Sequence, residues 1–295
     1  MSPALATAIG SIAVLSWGLL ALFTAATGAI PPFQLNAMCF AIGGALGLAV
    51  MIAQPRRRAA LRQSWRVYAF GIGGLFGFHA LFFAALKLAP PAEATLINYL
   101  WPLLIVLFSG LLPGERLRGI HVIGAVLGFA GVVVLSGGGD GGDLARHWPG
   151  YLCAIGSALF WSSYSVLSRR FAAVPTDAVT GFCIGASILG VITHLAFETT
   201  IWPEDAMQWA AVAALGLGPV GAAFYAWDIG CKHGDIRLLG VGAYSAPVIS
   251  TLTLILAGYA QASLYLWGAC ALIVAGALVA SKDKLRRAPA PRNVS

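Results

Sequence analysis

The chain has 295 residues, of which 59% are hydrophobic and 10% are charged, and its formal net charge is +7. Its mean hydropathy of +0.83 excludes a soluble globular protein, because about a quarter of the residues of such a protein are charged. The positive charge does not indicate a nucleic-acid partner, since Lys and Arg occur in short clusters between apolar runs.

The apolar runs predict a polytopic membrane protein with ten spanning helices, since about twenty apolar residues are needed for one crossing. The first run is too long and too uniformly uncharged for a signal peptide and predicts a retained span. In chain order, spans 1 to 10 are predicted near residues 5–24, 33–53, 67–88, 93–112, 118–136, 149–169, 177–197, 207–231, 238–258 and 264–281.

A glycine-rich run at residues 137–142 divides the predicted spans into five and five. We expect a first five-helix repeat over 1–138, a flexible linker over 139–148, a second five-helix repeat over 149–283 and a basic cytoplasmic tail over 284–295. Because each half has an odd number of spans, the second half enters the membrane from the opposite side. The sequence therefore predicts an inverted repeat, which many secondary transporters use.

The positions of Lys and Arg predict the orientation. A cytoplasmic N-terminus places sixteen of them in cytoplasmic segments and only two, Lys87 and Arg146, outside. Because cytoplasmic loops of membrane proteins carry an excess of these residues, both termini are expected in the cytoplasm.

A Tyr-x-x-Pro pattern interrupts predicted span 4 at Tyr99 and Pro102. It recurs in span 9 at Tyr244 and Pro247, an offset of 145 residues. A proline inside a helix cannot donate to the carbonyl four residues before it and kinks the helix. The two prolines are therefore candidate gating or kink residues.

Carbonyls freed by a kink in hydrocarbon need a partner from protein or a water-lined cavity. We therefore expect a central cavity beside the kink, lined by Asn98, Tyr99 and Trp101 from span 4 and by Tyr244 and Ser245 from span 9. A packing kink with tightly fitted aromatic rings is the alternative. The second copy has Ala243 and Ala246 in place of Asn98 and Trp101, so recognition is expected to depend more on span 4.

Further aromatic residues lie inside spans 1, 3, 6 and 8 and suit a ligand with an aromatic ring. These candidates are Trp17, Phe78, Phe82, Trp161, Tyr164 and Tyr225. Trp17 and Trp161 are favoured, because the offset of 145 residues places Trp17 within one residue of Trp161 in the second half. For any single ring, packing against lipid is the alternative.

Two ionisable residues lie inside predicted spans. His79 could bind a substrate's carboxylate or amine, titrate in proton coupling, or be a neutral histidine bonded internally. Asp228 lies four residues before Lys232, and an ion pair between them near the inner surface explains it. Substrate binding and closure of an inner gate are the alternatives for Asp228.

Span 4 opens with residues 93–102 (EATLINYLWP). This segment, together with the division into two halves of five short helices, resembles the EamA family of the drug/metabolite transporter superfamily. Residues 227–235, followed by 239–241 and 244–247, are similar to the YddG-type aromatic amino-acid exporters within it. The superfamily resemblance covers the whole chain. It implies an all-α fold of ten transmembrane helices and export of aromatic and other hydrophobic amino acids, or related amphiphiles, across the bacterial inner membrane.

Other functions remain open at this point. The chain could export other small metabolites or drugs, or form a channel, although the repeat favours a carrier. An intramembrane enzyme is more distant, since no nucleophile–base pair or metal motif is recognisable. The five cysteines are scattered singly, and we expect no catalytic residue, metal or cofactor. The expected partners are the substrate and the lipid bilayer, with protons as a candidate coupling ion, and the expected state is a monomer.

Overall fold

The structure is a computed structural model, and it describes residues 1–109, 119–137, 142–167, 171, 173–234, 243 and 245–286. All regular structure in these ranges is helical, which confirms the predicted all-α fold. The helices are α1 (Pro3–Gly18), α2 (Leu20–Ala26), α3 (Pro32–Ala53), α4 (Trp65–Leu88), α5 (Pro91–Asn98), α6 (Trp101–Ser109), α7 (Gly119–Gly137), α8 (Gly142–Leu167), α9 (Val179–Phe197), α10 (Ala206–Leu217), α11 (Ala223–His233), α12 (Ala246–Leu256) and α13 (Leu264–Arg286). Two 3₁₀ segments, Pro55–Leu61 and Thr176–Ala178, precede α4 and α9, and a π-helical segment, Gly218–Ala222, joins α10 to α11.

Several helical stretches have the length and composition of membrane spans. Four qualify on their own, namely Pro32–Ala53, Trp65–Leu88, Thr176–Phe197 and Ala206–Gly230, and α1 with α2 forms a further pair bent by 40°. Shorter apolar helices occur within α7, α12 and α13. Large apolar side chains such as Leu195 and Leu264 are exposed on the outside, where lipid tails solvate them. The chain is a polytopic membrane protein, and the count of ten crossings stays a prediction.

One boundary differs from expectation. Helix α8 begins at Gly142, so most of the predicted linker at 139–148 is helical. The glycine run that indicated a linker ends at Gly142, and the Leu, Ala and Arg residues that follow it are good helix formers. Residues 138–141 lie outside the described part of the chain.

Three predicted spans are interrupted near their middle. Helix α1 ends before Leu19, α5 and α6 are separated by Tyr99 and Leu100, and α10 passes into α11 through the π segment. Breaks inside membrane helices are tolerated where protein or a water-lined cavity satisfies the freed backbone groups. The three breaks therefore indicate where a cavity is to be expected.

The repeated prolines occupy equivalent positions in the structure. Pro102 is the second residue of α6, and Pro247 is the second residue of α12. In the first turn of a helix the missing N–H has no partner to lose, so proline is favoured there. In both halves the proline therefore lies in the first turn of a described helix.

The packing of the helices recurs when one half is exchanged for the other. Helix α3 packs along α9 and α7 along α13, and in the repeat each of these pairs consists of counterparts. In the repeat, α1 corresponds to α8, α3 to α9, and α4 to α10 with α11. Accordingly, α1 packs on α11 as α8 packs on α4, and α9 packs on α4 as α3 packs on α10. This reciprocity is the contact pattern of two repeats related by a two-fold axis.

The α7–α13 contact depends on glycine. A Cβ atom added at Gly276 would lie 2.6 Å from the carbonyl oxygen of Gly124 and 2.8 Å from the backbone nitrogen of Gly128. A Cβ at Gly131, its counterpart in the repeat, would lie 3.0 Å from the carbonyl oxygen of Ala269. Small residues let membrane helices approach closely, and their contact area replaces the hydrophobic effect that lipid cannot provide.

We expect Gly276→Ala to lower the thermal unfolding midpoint of the detergent-purified protein, because the added methyl group overlaps backbone atoms of α7. Overpacking of this kind costs about 1–3 kcal/mol. The control is Gly268→Ala on the same helix, where the nearest atom, Val134 Cγ1, would lie at 3.8 Å. Its midpoint should be unchanged or higher. Equal midpoints for the two variants would contradict the close approach.

Candidate functional site

A small cavity lies where the interrupted helices meet. It is lined by side chains from α1, α2, α4, α8, α11 and α12 and from the α5–α6 break. The lining residues are Val14, Trp17, Leu20, Phe78, Phe82, Asn98, Tyr99, Trp101, Trp161, Phe224, Ala243 and Ala246. Seven of the predicted site residues are therefore brought together: Trp17, Phe78, Phe82, Asn98, Tyr99, Trp101 and Trp161.

Aromatic rings fill most of the centre. The ring of Trp17 lies 6.2 Å from that of Trp161, 6.1 Å from that of Phe224 and 5.1 Å from that of Trp227, and the rings of Phe78 and Trp161 are 5.0 Å apart. The cavity left among them has a volume of about 30 Å³. Since a buried water needs roughly 10–15 Å³, the cavity has room for water but not for an aromatic side chain. The centre is closed in this conformation, and a ring can enter only if the aromatic side chains separate.

Trp17 connects the three helix breaks. Its indole Nε1 donates to the carbonyl oxygen of Pro219 in the π segment, at 3.1 Å. Its own carbonyl oxygen accepts from the hydroxyl of Tyr99 at the α5–α6 break, at 3.4 Å. Trp17 itself lies two residues before Leu19, where α1 gives way to α2. One residue at the end of α1 is therefore hydrogen-bonded to the π segment through its side chain and to Tyr99 through its backbone carbonyl.

Serines of α8 hold the polar groups of the α5–α6 break. The Ser157 hydroxyl lies 2.7 Å from Asn98 Oδ1, and the Ser162 hydroxyl lies 3.0 Å from the carbonyl oxygen of Trp101. Asn98 is 3% exposed, so its amide is fixed at the cavity wall by a buried contact. Buried polar groups that are held in this way define one orientation of the site.

The second half contributes small side chains at the matching positions. Ala243 and Ala246 line the same cavity as the α5–α6 break. Ser245 is exposed at the start of α12, and its carbonyl oxygen accepts from the backbone N–H of Ile249. Tyr244, the other predicted site residue of this segment, lies outside the described residues. Of the described lining residues of the second half, Trp161 is the one with a hydrogen-bonding side chain.

His79 does not line the central cavity. It is fully buried, and its ring lies 5.0 Å from Phe40, 4.7 Å from Phe78 and 5.5 Å from Phe224. Its Nδ1 lies 2.9 Å from the carbonyl oxygen of Leu75, which can only accept, so Nδ1 carries the proton. Nε2 has no hydrogen-bond partner among the described residues. His79 therefore lies behind the aromatic wall rather than in the cavity lining.

Three other candidates also lie outside the central lining. Tyr164 stacks on Trp161 at 5.3 Å, on the side away from the cavity. Tyr225 lines a second cavity at the face of the protein that carries the basic residues. The carboxylate of Asp228 accepts a hydrogen bond from the hydroxyl of Thr176. The side chain of Lys232, its predicted partner, is not among the described ones.

Sequence reasoning missed several residues that build the wall. Phe224 is not among the predicted site residues, yet its ring lies 6.1 Å from that of Trp17 and 5.9 Å from that of Trp161. Trp227 follows Phe224 by three residues and so lies on the same helical face; this spacing was visible in the sequence. Nothing local identified Ser157, because its role depends on Asn98, 59 residues away.

In the described part of the chain no three His, Cys, Asp or Glu side chains are placed to hold a metal ion. None of the described residues that line the central cavity is charged. A ligand there would meet aromatic faces and neutral hydrogen-bonding groups.

Comparison with known proteins gives a consistent picture. The EamA-like transporter family matches this chain over residues 5–137 and again over 148–282. An aromatic amino acid exporter, YddG, from Ancylobacter novellus is 57% identical over 283 residues, which cover 95% of this chain and 98% of that protein. The aromatic amino acid exporter YddG of Escherichia coli (strain K12) is 25% identical over 290 residues, covering 93% and 96%. A crystal structure of a protein with 57% identity superposes with a TM-score of 0.76 and covers 97% of this chain and 99% of that one.

We expect Trp17→Phe to lower the thermal unfolding midpoint, because the variant keeps an aromatic ring but leaves the Pro219 carbonyl without its donor. An unsatisfied buried acceptor costs about 1–3 kcal/mol. Trp209→Phe is the matched control, since Trp209 is 47% exposed and stacks on Trp202 at the surface. A loss no greater than that of the control would show that the indole N–H does not hold the breaks together.

Proposed function

Because the chain belongs to the EamA-like transporter family, we propose that it exports aromatic and other hydrophobic amino acids from the cytoplasm across the bacterial inner membrane. The observation that carries this proposal is the central cavity, where aromatic rings and neutral hydrogen-bonding groups converge at three helix breaks. The aromatic amino acid exporters that resemble this chain along nearly its whole length support the same substrate class.

The ring of the substrate is recognised by the aromatic wall. Trp17, Phe78, Trp161 and Phe224 present both edges and faces around one point. An offset or edge-to-face pair of rings contributes about 0.5–1.5 kcal/mol beyond the burial of its area. Phenylalanine, tyrosine and tryptophan should therefore bind better than leucine or methionine of similar hydrophobicity.

The described lining has no charged side chain for the charged head of the amino acid, and we propose that helix ends recognise it. Helix α5 ends at Asn98, whereas α6 and α12 begin at Trp101 and Ala246 beside the same cavity. The C-terminal end of a helix carries partial negative charge and the N-terminal end partial positive charge. The ammonium group is attracted to the α5 end and the carboxylate to the starts of α6 and α12, as at the broken helices of other transporters.

Transport alternates the access to this cavity. The two five-helix halves of the ten-helix inverted repeat rock or bend about the breaks, so that the aromatic rings separate toward one face at a time. Both termini lie in the cytoplasm, as the distribution of Lys and Arg predicts. No described group suggests a bound nucleotide or metal, so movement follows the substrate gradient or a proton gradient.

The direct test is an export assay with purified protein in liposomes loaded with labelled amino acids. Phenylalanine, tyrosine and tryptophan should leave these liposomes faster than they leave protein-free liposomes. Leucine and methionine should leave more slowly than the aromatic amino acids. Threonine or a cationic drug should leave at the rate measured without protein. Saturable release that is stimulated by the same amino acid outside would indicate a carrier. Movement of sugar-nucleotides or cationic drugs alone would overturn the proposed substrate class.

We expect Asn98→Leu to reduce phenylalanine export about tenfold at low substrate concentration. The amide is the polar side chain fixed at the cavity wall, and a hydrogen bond to a charged group contributes about 1.5–3 kcal/mol, where 1.4 kcal/mol corresponds to about tenfold. Ser157→Ala leaves the amide in place and should have a smaller effect. Thr193→Val is the control, because its hydroxyl bonds only within α9; an equal loss in that variant would remove the assignment.

We expect His79→Gln to leave the pH profile of export unchanged. The ring is enclosed by Phe40, Phe78 and Phe224 and reaches neither the cavity nor a second polar group of the described residues. A proton relay needs a connected partner on each side. The measurement compares export rates of the two proteins at several pH values with equal pH inside and outside. Loss of the pH dependence in the variant would assign His79 to proton coupling.

A further inference from the structure

A second cavity of about 550 Å³ opens at the face that carries the basic residues. It lies between α3, α9 and α11, and both 3₁₀ segments contribute to its rim. We call it the vestibule. It is distinct from the central cavity, since the two share no lining residue.

The rim of the vestibule carries two opposite charges. Arg57 Nε and Asp177 Oδ2 lie 3.0 Å apart, and their side chains are 44% and 23% exposed. A solvent-exposed ion pair contributes little to stability. A ligand that carries a negative and a positive group can therefore separate the two side chains, because its own charges then pair with Arg57 and Asp177.

The walls become apolar and then polar again with depth. Leu46, Val50 and Ile229 line the walls, and the hydroxyls of Thr180 and Tyr225 lie 3.0 Å apart at the inner end. Both hydroxyls pack directly on α3 because residue 47 is glycine; a Cβ atom there would collide with both side chains. The vestibule therefore offers charges for a head group and an apolar wall for a side chain.

A single helix separates the vestibule from the centre. Tyr225 lines the vestibule, whereas its neighbour Phe224 lines the central cavity. Both belong to α11, directly after the π segment. Single-turn π segments occur often at functional sites. This one lies where α11 would have to bend to connect the vestibule with the central cavity.

We propose that the vestibule is a second binding site, which takes the zwitterionic head of an amino acid before it enters the centre. Arg57 binds the carboxylate and Asp177 the ammonium group. The proposal rests on the proposed export function and on the predicted orientation, which makes this the cytoplasmic face. A molecule with both charges meets both side chains of the pair, whereas a molecule with one charge meets only one of them and is expected to bind more weakly.

The test uses two analogues that each retain one charge of phenylalanine: phenylalanine amide, a cation, and N-acetylphenylalanine, an anion. Each is added to the compartment that contains the cytoplasmic face, and its inhibition of labelled phenylalanine export is measured. Arg57→Gln should weaken inhibition by the N-acetyl compound about tenfold and that by the amide by less than about twofold. Asp177→Asn should give the opposite selectivity, because it removes the partner of the cation.

The ratio of the two inhibition constants within one variant is independent of how much protein is folded. Arg62→Gln, next to the same 3₁₀ segment but outside the vestibule lining, is the control and should keep the wild-type ratio. An unchanged ratio in both charge variants, equal losses for both analogues, or no inhibition of the wild type by either would overturn the second site. If the wild type exports no phenylalanine, the proposed function itself fails instead.

Discussion

The hydrogen bonds of Trp17 are the constraint on which the centre of the molecule depends. Its indole N–H reaches the Pro219 carbonyl in the π segment, and its own carbonyl accepts from the Tyr99 hydroxyl. Each partner belongs to an interrupted helix, and an unpaired backbone group at such a depth would be costly. The end of α1 is therefore tied to both other breaks through one residue, by its indole N–H and by its backbone carbonyl.

The outer helices are held in a different way. At one end of the α3–α9 pair, the Glu198 carboxylate accepts from the backbone N–H groups of Phe33 and Gln34 at 2.9 and 3.0 Å, where the start of α3 favours negative charge. At the other end the ion pair of Arg57 and Asp177 joins the two 3₁₀ segments. The two ends of the α3–α9 pair are therefore held by different interactions, a carboxylate on backbone N–H groups at one and an ion pair between side chains at the other.

Much of this arrangement could be predicted from the sequence, because its causes are local or periodic. Tyr99 and Pro102 identify a helix break by the missing N–H of proline, and the offset of their copies identifies the counterpart half. Which side chains face the cavity could not be predicted in the same way. Neighbouring positions on a helix point about 100° apart, so Phe78 reaches the cavity while His79 lies behind it. The closure of the centre depends on rotamers from six helices, for which the sequence has no signal.

The departures from symmetry follow from the shape of an amino acid. A two-fold symmetric cavity would offer the same groups to both ends of a ligand, but an aromatic amino acid has a charged head at one end and an apolar ring at the other. Asn98 and Trp101 line the cavity together with their repeat counterparts Ala243 and Ala246, so at these positions the first half has large hydrogen-bonding side chains and the second half has methyl groups. The repeat can supply two equivalent ways of opening, and the unequal side chains keep the substrate in one orientation through both.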